Sequence, residues 1–251
     1  MTGAAYRGVP VEYHDALGST NDEALRRAAE GAPEGLVVVA AEQTAGRGRL
    51  GRSWWGRTGD SLLFSLLLRP DVPVARFPLF GIAMAAAVAE AGGEAAGATL
   101  RVKWPNDVLH GTRKLCGILA ESRPNGDGRA ALVIGVGINV GQRAEDFPEE
   151  LRDRATSLRI AAGGRGVDRD ALLAAVLGRF DRYRRIARAG GADALRDAVA
   201  ERLPAPGETV RVSLGDRVVA GAVEEVLENG ALRVREEDGG GVVTIAAGEL
   251  T

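Results

Sequence analysis

Runs of hydrophobic and polar positions along the chain predict a fold that combines strands and helices. Short apolar or alternating runs of about four to eight residues are typical of strands, and longer runs with helical spacing are typical of helices. In chain order the sequence predicts a strand at Val9–His14, a helix at Asp22–Glu30 capped by Ser19, Thr20 and Asn21, strands at Leu36–Ala41 and Ser61–Leu68, a helix at Arg76–Ala91 ended by Gly92 and Gly93, and strands at Leu100–Trp104, Lys114–Glu121 and Ala131–Val140. The last two strands flank Pro124-Asn125-Gly126-Asp127-Gly128, which predicts a turn and hence a strand pair.

The last part of the chain changes from helix to strand. Asp168–Ala189 and Ala192–Arg202 have helical spacing, and the first of them opens on an aspartate cap. The segment Pro204-Ala205-Pro206-Gly207 is typical of a linker. Beyond it the sequence predicts short strands at Thr209–Ser213, Val218–Leu227, Ala231–Arg235 and Val242–Ala246. We therefore expect two domains, residues 1–203 and a small all-β barrel at residues 204–251.

Composition excludes several classes of protein. The chain is 45% hydrophobic and 26% charged, which is ordinary for a globular protein. No apolar run in the sequence reaches the roughly 18–20 residues of a membrane span, the longest candidate being Phe80–Val88. A single cysteine, Cys116, excludes a disulfide framework, and two histidines, His14 and His110, without an HExxH motif predict no metal site. The N-terminus lacks the apolar core of a signal peptide, so that we expect a cytoplasmic protein.

Charge is distributed unevenly along the chain. The net charge is −2, but residues 205–251 hold 9 acidic and 4 basic side chains, so that the main body is net positive and suits an anionic ligand. Of the 32 basic side chains, 30 are arginine, and the two lysines are Lys103 and Lys114. This bias makes each lysine a candidate for a role that an ammonium group fills and a guanidinium group does not.

A glycine- and arginine-rich segment, Gly46-Arg47-Gly48-Arg49-Leu50-Gly51-Arg52, follows the second predicted strand. Glycine exposes backbone N–H groups, and arginine offers paired donors to a phosphate. No GK[ST] follows, so that the segment is not a P-loop. A phosphate-binding loop and a solvated or RNA-binding Arg-Gly segment fit this composition equally well.

Three later segments place chemically active residues on or after predicted strands. Arg101-Val102-Lys103-Trp104-Pro105-Asn106-Asp107 brings a cation, an aromatic ring and a carboxylate to one sheet edge, or is a capped turn after a buried strand. Lys114 opens an apolar strand and either reaches water or faces an anionic ligand. Cys116 on that strand is more typical of a core residue than of a nucleophile. Gly135-Val136-Gly137-Ile138-Asn139-Val140-Gly141 lacks the spacing and the following helix of a dinucleotide fingerprint, and favours a ligand lying against a strand backbone.

Five segments, taken in this order, resemble the biotin–protein ligases. They are Ser19-Thr20-Asn21, Glu42-Gln43-Thr44-Ala45-Gly46-Arg47-Gly48-Arg49, Lys103-Trp104-Pro105-Asn106-Asp107, Arg113-Lys114-Leu115-Cys116-Gly117-Ile118 and Gly135-Val136-Gly137-Ile138-Asn139. The resemblance spans about residues 10–160 and continues weakly into the C-terminal barrel. It implies an α+β fold: a mixed sheet flanked by helices, related to class II aminoacyl-tRNA synthetases, followed by an SH3-like barrel.

The resemblance also implies a reaction in two steps. The biotin carboxylate would attack the α-phosphate of ATP and give biotinyl-5′-AMP and pyrophosphate, with Mg²⁺ escorting the triphosphate. A lysine of a biotin carboxyl carrier domain, as in acetyl-CoA carboxylase, would then take the biotin and release AMP. The Gly/Arg loop would become ordered on ligand binding and exclude water from the mixed anhydride.

Site residues follow from the same resemblance. The biotin site would comprise Ser19, Thr20, Asn21, Gln43, Gly46, Arg47, Gly48, Lys114, Gly117, Leu119, Gly135 and Gly137. The ATP and adenylate site would comprise Arg47, Gly48, Arg49, Trp54, Lys103, Asn106 and Asn139, with Trp54 stacked on the adenine and Asn139 hydrogen-bonded to it. Catalysis would rest on Lys114, Arg47, Arg49, Lys103 and Asp107. Lys114 would stabilise charge at the α-phosphate, and Asp107 is a candidate base for the incoming amine.

Two-function members of this family carry an N-terminal helix-turn-helix and act as repressors. Only 18 residues precede Ser19 here, so that we expect a ligase that does not bind DNA or a membrane. Three alternatives stay open: a lipoate or octanoate ligase or transferase of the same fold, a non-catalytic biotin or adenylate sensor, and an RNA-binding module, against which the acidic barrel counts. The sequence leaves open the acceptor carboxylase, the role of the barrel and the oligomeric state, monomer or homodimer.

Overall fold

An eight-stranded mixed sheet forms the main body of the protein in the computed structural model, which describes residues 5–124, 130–215, 217–237, 239–246 and 248–250. Its strands are β1 (Ala5–Tyr6), β2 (Val9–Leu17), β3 (Val37–Gln43), β4 (Ser61–Leu68), β5 (Arg101–Lys103), β6 (Asp107–His110), β7 (Arg113–Pro124) and β8 (Ala130–Asn139). They are ordered β1-β2-β3-β4-β8-β7-β6-β5, with β2 and β3 parallel and the other neighbours antiparallel. The predicted pairing of β7 with β8 is confirmed, while residues 125–128 of the predicted turn lie outside the described residues.

Side-chain alternation gives the sheet two different faces. On β8, Ile134 and Ile138 belong to a large core, whereas Ala131 and Val133 belong to a smaller one. The large core includes helices α2 (Pro78–Ala96), α3 (Leu158–Ala161) and α4 (Arg169–Val199), and the smaller core includes α1 (Thr20–Ala29). Because α1 has only 10 residues, roughly 15 Å of helix, it covers part of its face and leaves the rest open.

Helix α2 does not end where the sequence predicts. It runs past Ala91 through both glycines, because these are packing positions. A Cβ on Gly92 would lie 3.0 Å from the Leu100 side chain, and one on Gly93 would lie 2.9 Å from the Ala98 carbonyl oxygen. The helix ends at Gly97, whose left-handed backbone (φ 65°) favours glycine.

The same helix corrects the expectation that no apolar segment is long enough to span a membrane. Together with the short 3-10 turn before it, α2 forms an apolar segment, Val74–Ala96, of 23 residues with a mean hydropathy of 1.5 in its most apolar stretch. That stretch is 72% buried, between the sheet and α4. It is therefore a core helix of a globular fold, and its residues 79–89 are buried on every side of the helix.

Helix α4 joins the two predicted C-terminal helices. Its backbone bends at Gly191, with φ 74° and ψ −166°, at the position where the sequence predicts the break. The predicted aspartate cap is confirmed, since Asp168 Oδ1 accepts hydrogen bonds from the N–H groups of Asp170 and Ala171, both at 2.9 Å. The bend lets one continuous element cover the large core and lead the chain to the C-terminal sheet.

A second, five-stranded antiparallel sheet is formed by β9 (Thr209–Ser213), β10 (Val218–Val226), β11 (Leu232–Glu236), β12 (Val242–Ile245) and β13 (Glu249–Leu250), in the order β12-β11-β10-β9-β13. This confirms the predicted all-β unit and adds β13, which is too short to recognise from the sequence. Val212 and Leu232 belong to the same core as α2 and α4. Buried Trp104 donates its Nε1–H to the Gly230 carbonyl at 2.9 Å, so that the small sheet is attached to the main body by both packing and a hydrogen bond.

Trp104→Phe tests this attachment. Phenylalanine keeps an apolar ring but leaves the buried Gly230 carbonyl without its donor, so that we expect the free energy of unfolding to fall by about 1–3 kcal/mol. Urea denaturation measures the change. The matched control is Val218→Ala in the small sheet, where the side chain is 49% exposed and the change should stay within about 0.5 kcal/mol. Equal stability of Trp104→Phe and the parent protein would show that the hydrogen bond contributes nothing.

Candidate functional site

A cavity opens on the face of the main sheet that α1 leaves uncovered. The space between its walls measures about 910 Å³, part of it open to solvent. The start of α1, the loop after β3, the β5–β6 turn and strands β7 and β8 form its walls. The predicted site residues that line it are Ser19, Thr20, Asn21, Gln43, Arg47, Gly48, Arg49, Trp54, Lys103, Asn106, Asp107, Lys114, Gly117, Leu119, Gly135 and Gly137.

Two predicted site residues, Gly46 and Asn139, are not part of this lining. Gly46 lies beneath it, where its carbonyl accepts the Trp54 N–H at 2.9 Å and a Cβ would lie 3.0 Å from the Trp54 carbonyl oxygen. Asn139 is 4% exposed; it donates to the Thr156 carbonyl at 3.0 Å and accepts from Gln142 at 3.4 Å. The Asn139 amide therefore holds the chain after β8, and its hydrogen bond to an adenine stays a prediction.

Buried polar side chains form one end of the cavity. Ser19, Thr20 and Asn21 are each 5% exposed or less. Gln43 Oε1 accepts from the Thr20 backbone N–H at 2.7 Å and from its hydroxyl at 3.0 Å. Ser65 Oγ lies 2.7 Å from Thr20 Oγ1 and 2.6 Å from Asn21 Oδ1. This network fixes donors and acceptors at set positions, which suits a ligand that carries both.

Glycines on β7 and β8 form the floor of the cavity. A Cβ on Gly137 would lie 2.4 Å from the Trp54 indole, and one on Gly117 would lie 2.8 Å from the same ring. A Cβ on Gly135 would lie 2.2 Å from Asn21 Oδ1. Trp54 therefore lies directly on the strand backbones, and its Nε1–H has no hydrogen-bond partner among the described residues. The expected space above the glycines exists, and part of it is filled by this indole.

The Gly/Arg segment, residues 46–52, folds into a short loop over the cavity and is called the arginine loop below. Arg47 and Ser53 form an isolated antiparallel bridge, and the Gly48 N–H donates to the Arg52 carbonyl at 2.6 Å. At its tip Leu50 is 72% exposed and has a left-handed backbone (φ 56°). These contacts turn the chain back on itself and bring the arginines to the edge of the cavity.

The two cavity-lining arginines of the expected phosphate site have different partners. Arg47 donates to both carboxylate oxygens of Asp22, at 2.6 and 2.7 Å, and to Glu121 at 3.1 Å. The hydrogen bonds from Arg47 hold the pKa of the Asp22 carboxyl below its ordinary value. Arg49 donates to the amide oxygen of Asn106 at 3.1 Å. The positive charge of Arg47 is therefore already matched by two carboxylates.

Both lysines lie in the cavity. Lys114 Nζ is 2.7 Å from Asp107 Oδ1 and 5.5 Å from the centroid of the Trp54 ring. The Lys114 side chain is 40% exposed, so that it keeps access to a ligand in the cavity. Within the described part of the chain, Lys103 has no carboxylate at ion-pair distance. The cavity thus has a positively charged end opposite its polar end.

A bulge on β7 explains how Lys114 reaches the glycine floor. In a regular strand Lys114 and Gly117 would face opposite sides, because they are three positions apart. On β6, Val108 pairs with Cys116 and Leu109 pairs with Lys114, which leaves Leu115 as an extra residue. As a result a Cβ on Gly117 would lie 3.3 Å from Lys114 Nζ. Sequence periodicity carries no sign of this bulge.

Sequence reasoning missed three polar residues that organise the site. Ser65 joins Thr20 to Asn21, and Asp22 and Glu121 hold Arg47. Ser65 had a visible signal, since it interrupts the otherwise apolar run of β4. Asp22 and Glu121 had none, because helices and strand ends commonly carry surface acids.

A carboxylate and imidazole cluster lies outside the cavity, between β2 and α1. Ligand atoms of Glu12, His14 and Glu23 lie within 4.8 Å of one another. The Arg27 guanidinium already contacts Glu12 at 2.9 Å and Glu23 at 3.0 Å, so that a cation neutralises these acids without a metal. Around the cavity, Asp22 and Glu121 pair with arginine and Asp107 pairs with lysine.

Comparison with known proteins gives consistent matches. A model of the Biotin/lipoate A/B protein ligase family matches residues 15–139. A bifunctional ligase/repressor BirA of Bacillus subtilis is 46% identical over 178 residues, 70% of this chain and 54% of that protein. The chain thus spans about half the length of this relative. A biotin–[acetyl-CoA-carboxylase] ligase of Mycobacterium tuberculosis is 35% identical over 254 residues, 99% of this chain and 90% of the relative.

The fold has solved counterparts. A biotin protein ligase from Aquifex aeolicus, in complex with biotin and ATP, superposes with a TM-score of 0.77 at 30% sequence identity and covers 96% of this chain and 97% of that one. This match extends over both sheets, which confirms the expected mixed sheet with helices and its small C-terminal all-β unit.

Cys116 gives a test of the buried side of β7. Its side chain is 0% exposed, and burial raises the pKa of its thiol above the ordinary value. Iodoacetamide at mildly alkaline pH should alkylate the urea-unfolded chain completely. In the same time we expect it to leave Cys116 of the native protein unmodified. Mass spectrometry measures the extent. Alkylation of the native protein at a comparable rate would show that Cys116 is not a core residue.

Proposed function

The chain belongs to the biotin/lipoate A/B protein ligase family, and from this premise we propose that it is an ATP-dependent biotin–protein ligase. The observation that carries the proposal is one cavity with three parts: a network of fixed hydrogen-bonding groups, a floor of glycines and a cationic end. Biotin has the matching parts in the same order, namely a ureido group, an apolar ring with its valeryl chain, and a carboxylate.

The proposed reaction joins biotin to a protein in two transfers. A biotin carboxylate oxygen attacks the α-phosphorus of ATP, the bond to the bridging oxygen breaks, and pyrophosphate leaves. The amine of an acceptor lysine then attacks the acyl carbon of biotinyl-5′-AMP, forms an amide, loses a proton and releases AMP. We infer that the acceptor is a biotin carboxyl carrier domain, in keeping with the name of the Mycobacterium tuberculosis relative.

The polar end would bind the head of biotin. The ureido group has two N–H donors and a carbonyl acceptor, and Ser19, Thr20 and Gln43 offer both kinds of partner. Their positions are already fixed by Ser65 and Asn21, so that little ordering would be needed when biotin binds. Leu119 would add an apolar wall.

The glycine floor would hold the ring and chain of biotin against the sheet. Because Trp54 lies on Gly117 and Gly137, the indole would shift when biotin enters. Its face would then be free to stack on the adenine, as the resemblance implies. Asn106 and Gly48 would line the path between the two ligands.

The cationic end would carry the chemistry. Lys114, Lys103 and Arg49 would stabilise the charge that grows on the α-phosphate and on pyrophosphate. When Lys114 turns to phosphate, its partner Asp107, 2.7 Å away, is released from the ion pair. Asp107 would then take the proton from the acceptor amine, which links the first transfer to the second.

Magnesium would enter with the triphosphate. The carboxylates around the cavity are engaged, Asp22 and Glu121 with Arg47 and Asp107 with Lys114. Phosphate oxygens and water would therefore supply most of the ligands, as is usual for this ion. We further propose a cytoplasmic enzyme with catalysis in residues 1–203 and the barrel in 204–251. The absence of DNA binding stays a prediction.

Pyrophosphate release with biotin and then with lipoate tests the proposed function. The matched family joins both ligases in its name, so that lipoate is the rival substrate. We expect release with biotin and ATP and none with lipoate and ATP. Release with lipoate alone would make the protein a lipoate ligase, and no release with either would reject the enzyme in favour of a sensor.

Lys114 gives a sharper test. We expect Lys114→Ala to slow pyrophosphate release about 10²–10³-fold while the protein stays folded. Lys114→Arg should also lose most activity, because a planar guanidinium does not replace a compact ammonium group between Asp107 and the Trp54 ring. The control is Arg185→Gln on α4, where the side chain is 71% exposed. Full activity of Lys114→Arg would show that positive charge alone suffices, and full activity of Lys114→Ala would remove Lys114 from the mechanism.

A further inference from the structure

Arg47 is tied to the main body rather than directed freely at the cavity. Its guanidinium donates to both oxygens of Asp22 and to one oxygen of Glu121, at 2.6, 2.7 and 3.1 Å. Asp22 lies in the first turn of α1, and Glu121 lies on β7. One loop side chain thus contacts both the first turn of α1 and strand β7.

The carboxylates around Arg47 neutralise its positive charge, so that little of this charge remains to attract an anionic ligand. One guanidinium faces two carboxylates, so that the group as a whole is net negative and an incoming carboxylate or phosphate would meet repulsion there. Arg49, two residues further along the loop, donates to the Asn106 amide oxygen at 3.1 Å and to the Gly248 carbonyl at 3.3 Å. The two arginines therefore hold the loop to different parts of the main body.

We propose that Asp22 and Glu121 are positioning residues that clasp the arginine loop over the site through Arg47, and that the side chain of Arg47 is not a ligand for the substrates. Anion binding then falls to Arg49, Lys103 and Lys114. This inference rests on the proposed function, and it replaces the role in phosphate binding that the resemblance implied for Arg47.

The clasp is connected to the polar end of the cavity. Glu121 also accepts a hydrogen bond from Asn21 Nδ2 at 2.6 Å, and Asn21 contacts Ser65. Asn21 and Asp22 are neighbours in the same turn of α1. A ligand head group that fixes this turn would therefore also fix the acids that hold the loop, so that occupancy of the polar end favours loop closure.

A closed loop retains a labile intermediate. Biotinyl-5′-AMP is a mixed anhydride that water and free amines attack, and a loop held over it limits its escape. Loss of the clasp should leave the chemistry of adenylation largely intact and shorten the time for which the adenylate stays bound. That separation distinguishes a positioning role from a catalytic one.

Trypsin digestion of the folded, ligand-free protein tests the clasp without any activity measurement. The loop contains cleavable bonds after Arg49 and Arg52, and mass spectrometry reports their cleavage. We expect Asp22→Asn, Glu121→Gln and Arg47→Gln each to raise the cleavage rate about fivefold, because each breaks the same ion pair network. The matched control is Glu30→Gln, at the C-terminal cap of the same helix, whose carboxylate pairs with Arg26 and is 54% exposed, as that of Asp22 is.

A double-mutant cycle on adenylate release tests what the clasp does. Biotin and α-labelled ATP form the adenylate, and its release is followed after dilution. Asp22→Asn and Arg47→Gln should both speed release, Arg47→Gln about fivefold, and the double variant should match Arg47→Gln alone, because the contact with Asp22 is already lost with the guanidinium. Pyrophosphate formation should fall by less than about twofold in all three.

The outcomes separate the clasp from the proposed function. Unchanged trypsin cleavage in Asp22→Asn overturns the clasp. A severe loss of pyrophosphate formation in Arg47→Gln, with Asp22→Asn unaffected or faster, also overturns it and makes Arg47 a substrate ligand. If the parent protein releases no pyrophosphate with biotin, the proposed function fails, and the trypsin experiment still decides whether Arg47 clasps the loop.

Discussion

The absence of side chains at Gly117 and Gly137 is the constraint on which the cavity depends. A Cβ at either position would lie less than 3 Å from the Trp54 indole, so that neither strand tolerates a larger residue where the cavity floor runs. The opposite faces of β7 and β8 carry the apolar residues of the large core, which hold these strands rigidly in place. A rigid floor without side chains allows a flat ring to lie against backbone.

The positively charged side chains of the site lie at separate positions and have different partners. Arg47 is held by Asp22 and Glu121, Lys114 is held by Asp107, and Lys103 lines the cavity without a carboxylate partner in the described part of the chain. Pairing limits the repulsion between cations in a partly closed space. Both lysines of the sequence lie where a compact, movable charge faces the ligand space.

Much of the fold could be predicted from the sequence because strand periodicity is local. β4 has the predicted bounds, and four of the five C-terminal strands were recognised. Errors arose where packing overrides local signals: Gly92 lies inside α2 because Leu100 needs the space, and the bulge that turns Lys114 toward Gly117 leaves no mark in the residue pattern. The order of motifs identified the cavity, but side-chain pairing did not follow from it, so that Asp22 and Glu121 were missed as partners of Arg47.

The central claim, that biotin lies on the glycine floor, is tested most directly by calorimetric titration of biotin into Gly137→Ala. The account predicts that the added methyl, with its Cβ 2.4 Å from the Trp54 indole, weakens biotin binding at least about tenfold by closing the space above the strand. The control is Gly178→Ala on α4, where a Cβ meets nothing within 4 Å and the affinity should not change. Equal affinity of Gly137→Ala and the parent protein would contradict the account.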